Sequence, residues 1–190
     1  MNLAYDSARG VVVGFGGNLG GTDSGPFSGQ TWEFDGSAWV LRSTTGPSAR
    51  SNGQMVYDSA RGVCVLFGGF AGAWLGDTWE WDGVNWTPVA TATLPFRTGR
   101  HGLAYDRARG RTVAYGGVQS TLLLGATNQT WEYDGINWQQ RTPATNPGAL
   151  ESPAMCWSEG LQATVLFGGV TPVSGAMNST TWLWNGTTWQ

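Results

Sequence analysis

The side chains able to do chemistry in this chain recur along it instead of converging on one place. Glu33, Glu80 and Glu132 stand at matching places in three segments reading Thr-Trp-Glu-x-Asp-Gly-x-x-Trp. An acid–base pair needs two carboxylates in one site, so a carboxylate repeated once per segment reads as scaffold. Asp6, Asp58 and Asp106 each precede an arginine by three positions (Arg9, Arg61, Arg109). At that spacing the carboxylate can accept turn N–H groups while the guanidinium covers or pairs with it. Asp35, Asp82 and Asp134 precede Gly and take the same turn reading. His101 is the sole histidine, and no nucleophile motif frames a serine, although a Ser-His-Asp set is not excluded by counting. Cys64 and Cys156 have neither metal-binding nor redox spacing. A disulfide and a pair of buried free thiols are both open, the second favoured because each cysteine lies in an apolar strand. No catalytic residue, metal ligand or cofactor is assigned, and the chain is expected not to be an enzyme.

Twelve tryptophans invite a sugar-stacking reading. Most fit repeated strand positions, where core packing explains them: Trp32/Trp39, Trp79/Trp86, Trp131/Trp138 and Trp182/Trp189 are pairs 7 apart, and Trp81, Trp157 and Trp184 replace Phe or Tyr. Trp74 belongs to no repeated position. It is a candidate contact for sugar or protein, or a cover for its own blade edge. Asn-x-Ser/Thr triplets at Asn85, Asn128, Asn178 and Asn185 point to exposed turns.

These features belong to a unit of about 50 residues repeated four times. Its aromatic anchors Tyr5, Tyr57, Tyr105 and Trp157 lie 52, 48 and 52 residues apart, and a Gly-Gly pair starts 11 residues after each. Charged residues make up only 12% of the 190, and the net charge is −3. The basic residues are all arginine and scattered, which excludes an electrostatic case for nucleic acid or an anionic membrane. No apolar run reaches membrane-span length, and residues 1–20 lack the basic start and apolar core of a signal peptide. Low charge with abundant Gly, Thr, Ser and Asn fits a turn-rich protein working outside the cytoplasm, extracellular or periplasmic.

Each unit holds four short strand candidates. In the first, Asn2–Tyr5, Val11–Phe15, Thr31–Phe34 and Ala38–Val40 are separated by turn signals, and no segment carries a helical period. The second strand is apolar at nearly every position, as in Val63–Phe67, so neighbours must cover both faces. Stacking such sheets about an axis gives an all-β propeller of four-stranded antiparallel blades. The blades are expected at about 1–46, 47–94, 95–146 and 147–190. The pattern Tyr-Asp-x-x-Arg-Gly, then Phe-Gly-Gly, then Thr-Trp-Glu-x-Asp-Gly-x-x-Trp resembles Kelch repeats of the bacterial style across essentially the whole chain. The resemblance implies a propeller, usually of six or seven blades. Of that family's Arg-x-x-His element, only the His position is matched, by His101, with Gly53 and Pro153 replacing it elsewhere. The last copy drifts further, with Ser158, Leu161, Leu183 and Asn185 replacing Asp, Arg, Glu and Asp. An open four-blade arc would leave two apolar sheet faces wet. Self-association, for example two copies forming an eight-blade ring, or membership of a larger propeller is therefore expected over a closed monomer.

In such a blade the Asp-x-x-Arg-Gly and Asp-Gly turns share one face. The long variable segments 18–30, 70–77, 118–129 and 170–180, with the connections 42–50, 88–99 and 140–152, share the other. Variation on one face of a rigid scaffold places binding there. The candidates are Asp23, Phe27, Phe70, Trp74, Asp77, Phe96, Arg97, Arg100, His101, Gln119 and Glu151. The resemblance also admits copper-radical oxidases, whose two His and two Tyr ligands a chain with His101 alone does not supply, and sialidases, whose arginine triad is not visible. The expected function is a non-catalytic interaction or self-assembly module, its partner a protein or another copy of itself. The alternatives are a lectin-like glycan-binding propeller and, third, a propeller enzyme.

Overall fold

The computed structural model describes residues 1–21, 25–119, 125–172 and 174–190, and Asp23 among the candidates lies outside them. The chain is all-β, and no helix among the described residues is long and apolar enough to cross a membrane. The first sheet contains β1 (Asn2–Asp6), β2 (Val11–Phe15), β3 (Thr31–Phe34) and β4 (Trp39–Ser43). The second contains β5 (Gln54–Asp58), β6 (Val63–Phe70), β7 (Trp74–Trp81) and β8 (Trp86–Val89). The third contains β9 (Gly102–Asp106), β10 (Arg111–Tyr115), β11 (Thr130–Tyr133) and β12 (Trp138–Arg141). In the fourth, β13 (Ala154–Ser158), β14 (Ala163–Phe167) and β15 (Thr181–Trp184) are completed by a bridge from Trp184 to Trp189 and backbone bonds between Leu183 and Gln190. Strands follow chain order in every sheet and run antiparallel, giving the four blades of a β-propeller.

Pairing register sorts the side chains of each blade into two faces. In the first blade Ala4, Val13, Glu33 and Val40 are aligned on one face, and Tyr5, Val12, Phe34 and Trp39 on the other. The second set has the counterparts Tyr57-Cys64-Trp81-Trp86 and Tyr105-Thr112-Tyr133-Trp138 in the next two blades. This period of two with both faces apolar is what sandwiching between neighbours requires. Three buried clusters occupy the junctions between consecutive blades. Val13 and Phe15 meet Met55, Leu66 and Trp81; Val65 and Phe67 meet Leu103, Tyr133 and Trp138; Val113 and Tyr115 meet Leu166, Trp184 and Trp189.

The Asp turns are built as the sequence reading expects. Asp6 Oδ1 accepts from the Ala8 and Arg9 N–H groups at 3.0 and 3.1 Å, and Arg9 Nε donates to Asp6 Oδ2 at 2.6 Å. Asn185 caps its turn as the aspartates do, accepting from the Thr187 and Thr188 N–H groups. The Gly-Gly pairs have an inter-blade cause. Gly68 has φ +64°, and a Cβ there would lie 2.4 Å from the Thr98 carbonyl oxygen, while Gly69 N–H donates to that same oxygen at 2.8 Å. The first three Gly-Gly pairs thus each receive the connection entering the following blade, too closely for a side chain to intervene.

Two expectations are corrected. Segment 70–77 is not a loop: β6 continues to Phe70 and β7 begins at Trp74, because those two residues pair across the strands around a tight turn at 71–73. Phe70, Trp74 and Asp77 are therefore strand residues. The cysteines are both free, but only Cys64 is buried; Cys156 is exposed because it lies on the outward face of the fourth blade.

Candidate functional site

The recurring charges are consumed within the scaffold. Buried Glu33 accepts from Arg9 at 2.6 Å, Arg42 at 2.9 Å and, across the junction, Trp81 Nε1 at 3.2 Å. Glu132 repeats this with Arg109, Arg141 and Trp184 Nε1. Glu80 holds Arg61 and the Tyr133 hydroxyl, and the same Arg61 lies over the Tyr133 ring. Burial works against the Arg61 charge, but its bonds to Glu80 and Asp58 outweigh that and raise its pKa. Glu33 and Glu132 each accept from three donors and Glu80 from two, so these carboxylates are engaged chiefly by the scaffold itself.

The loop-face candidates divide into three groups. Phe27, Phe70 and Trp74 form a strip of edge-to-face rings with centroids 6.0 and 5.0 Å apart. Trp74 covers Gly99 so closely that a Cβ there would meet its ring at 2.4 Å. The side chain is half-buried and fastens the second blade to the connection entering the third, the edge-covering alternative of the sequence reading.

Asp77 belongs to a buried pair that sequence reasoning missed. Arg50, fully enclosed, donates to both Asp77 carboxylate oxygens, the Gly68 carbonyl and Ser48. Burial pushes the Asp77 carboxyl up, but the Arg50 bonds and charge, helped by Trp79 Nε1, bring it below the ordinary carboxylate value. Arg50 stands three before Gly53, the Arg position of the Arg-x-x-His element, but Thr98 and Leu150 stand there in the following units, so the repeat gives it no support. His101 is likewise enclosed, edge-on to Phe67 with centroids 5.1 Å apart. Neither ring nitrogen has a hydrogen-bond partner, and burial pushes its pKa down to about 3. It is a neutral packing group at pH 7. Gln119 lies near it beside a cavity of about 10 Å³, room for no more than a water.

Phe96, Arg97 and Arg100 lie on or just after the connection between the second and third blades. Arg100 is paired with Glu151 at 2.6 Å. It also takes part in a backbone hoop around the axis: Arg100 N–H donates to the Asn52 carbonyl at 2.8 Å, and Ser152 N–H to the Arg100 carbonyl at 2.6 Å. Phe96 and Arg97 are exposed. Arg97 borders a groove of about 470 Å³ whose wall is apolar through Leu75, Val89, Leu94 and Pro95, with Asp77 at its rim. Leu94 is also exposed. Leu75 and Leu94 were not among the sequence candidates; Leu94-Pro95-Phe96, an apolar run inside a connection, was the signal available.

A second cavity of about 430 Å³ lies on the axis, lined by Tyr5, Tyr57, Tyr105 and Trp157 with Ser7, Ser59 and Arg107 from the short-turn face. Arg107 donates to Ser59 at 3.3 Å and to Glu159 at 3.2 Å, linking three blades. Among the described residues, no group of three or more His, Cys, Asp or Glu is placed to hold a metal ion. No protein-family model matches the chain, and no curated protein matches it significantly.

Proposed function

We propose that this chain is a non-catalytic, Kelch-like binding module whose loop face takes a protein partner in the groove beside Leu75, Leu94 and Arg97. The observation that carries the reading is the groove of about 470 Å³ with exposed apolar and cationic side chains on its border. An apolar recess with a few placed polar groups is the usual form of a recognition site. Elsewhere the repeated glutamates are spent on arginines and the turn aspartates on arginines or backbone N–H groups, which favours a scaffold over an acid–base centre. The engagement of Trp74 with Gly99 and Phe70 removes the main support for a glycan platform. The fitting partner is an extended segment presenting an apolar side chain to Leu75, Val89 and Leu94, and a carboxylate to Arg97.

Panning a displayed random-peptide library against the full chain tests this. Selected peptides should carry an acidic residue beside an apolar one and lose binding at least about tenfold on Leu94→Ala with Arg97→Glu, the fold being unchanged by circular dichroism. Peptides that bind the double variant equally well, or no enrichment at all, would overturn the reading.

A further inference from the structure

Three junctions inside the chain use one joint, and its two halves stand unmatched on the two end blades. At the first junction Trp86 packs against Phe15 with centroids 5.1 Å apart, and its Nε1 donates to Thr31 Oγ1 at 2.8 Å. At the second, Trp138 meets Phe67 at 4.6 Å and Thr78 Oγ1 at 2.9 Å. At the third, Trp189 meets Tyr115 at 5.1 Å and Thr130 Oγ1 at 2.9 Å. Trp39 holds the inserting position in the first blade, already set against Phe34 as Trp86 is against Trp81. Phe167 and Thr181 hold the receiving positions in the fourth. Trp39 is 45% exposed and Phe167 51%, where Phe15, Phe67 and Tyr115 are 0%.

A second layer of the joint changes character on both end faces together. Inside, an aromatic donor meets a glutamate: Trp81 with Glu33, Tyr133 with Glu80, Trp184 with Glu132. On the end faces Phe34 has no polar hydrogen to give, and Leu183 has no oxygen to receive one. A Trp opposite Leu183, or a Glu opposite Phe34, would bury an unpaired polar group, so each replacement answers the other. The turns agree. Arg9, Arg61 and Arg109 lie over Gly83, Gly135 and Gly186 of the next blade. Apolar Leu161 takes the arginine's place opposite the open position over Gly36, and Ser158 replaces the aspartate. The outward face of the fourth blade is fitted to the outward face of the first, not to another interior blade.

We propose that the Trp39 face of one copy seats on the Phe167–Thr181 face of a second copy, and reciprocally, so that two chains close an eight-bladed ring. The contact is head-to-tail, and such contacts either close or propagate into filaments. Two copies reach the upper end of the range of about four to eight blades, and three copies would exceed it. The inference stands apart from the loop-face groove: peptide binding lost with the ring intact, and the ring lost with peptide binding intact, are different results.

Sedimentation equilibrium of the full chain should give about twice its 20.3 kDa mass. Phe34→Glu and Leu183→Lys place a charge on one end face each, and each variant should sediment as a monomer with unchanged far-UV circular dichroism. Mixed in equal amounts, the two variants retain one sound joint between them and should re-form a two-copy species. Cys156, exposed on the fourth blade's outward face, should be alkylated several-fold more slowly in the wild-type assembly than in either variant. A wild-type chain that stays monomeric at high concentration overturns the proposal without any variant. Filaments, an assembly that survives both substitutions, or a mixture that remains monomeric would overturn it as well.

Discussion

Arg50 closes both Nη atoms on the carboxylate of Asp77, Nη1 to Oδ1 at 2.6 Å and Nη2 to Oδ2 at 2.7 Å. The guanidinium is fully buried, while the carboxylate side is 41% exposed. The two members of the pair therefore respond differently to loss of the other. Asp77→Ala strands a buried cation and should cost about 3 kcal/mol, the lower end for a buried pair because solvent already screens the carboxylate. Because the Asp77 carboxyl is held below its ordinary value, its contribution is whole above the carboxylate range and is lost as pH falls through it. Urea denaturation of wild type and variant checks both; an Asp77→Ala variant as stable as wild type would contradict the assignment.

His101 gives a pH dependence of its own. Its pKa is about 3 in the folded chain against 6.5 when free, so the unfolded state binds a proton that the native state refuses. Stability is then unaffected above the free value and falls as pH drops below it, by up to about 1.4 kcal/mol per pH unit until the folded pKa is reached. His101→Phe should flatten the denaturation midpoint between about pH 6 and pH 4. An unchanged slope in that variant would place the acid sensitivity elsewhere.

Gly68 inside the array and Gly168 at its end are predicted to tolerate alanine differently. Gly168 has φ +73° but only the Asn178 carbonyl oxygen nearby, 3.6 Å from a built Cβ. Gly168→Ala should cost about 1 kcal/mol, the left-handed penalty alone. Gly68→Ala adds a 2.4 Å collision with the Thr98 backbone and should cost about 3 kcal/mol or more. Thermal unfolding of the two variants decides it, and equal shifts would refute the inter-blade cause given for the pair.

Trp184→Phe converts the third junction's donor to the residue found at position 34. It leaves the 1%-exposed Glu132 with its two arginines but without the indole, and should cost about 1 to 2 kcal/mol. Glu132→Ala removes the hub for all three donors and should cost about 3 kcal/mol or more. If denaturation ranks the two variants in the opposite order, the glutamate is not the organising group.

The blades were legible in the sequence because their information is local and repeated. Asp-x-x-Arg-Gly specifies a turn, Asp-Gly another, and the apolar strands between them admit only a sheet covered on both sides. Arg50 was not legible, because its partner lies 27 residues away and the units that follow have no counterpart. The extension of β6 and β7 was hidden for a related reason: a cross-strand Phe70–Trp74 pair reads as two loop aromatics until the turn between them is known. The exposure of Cys156 depends on which blade lacks a neighbour, a property of the array that no single unit contains.

The hoop formed by Asn52, Arg100 and Ser152 joins the last three blades through amide and carbonyl groups, with φ of 56°, 56° and 54°. Amide, guanidinium and hydroxyl side chains ride on identical main-chain geometry there. What such a clasp asks of a residue is a backbone posture, whatever its side chain does besides. The rim around the axis is in consequence a place where this architecture can change what it displays without loosening what joins its blades.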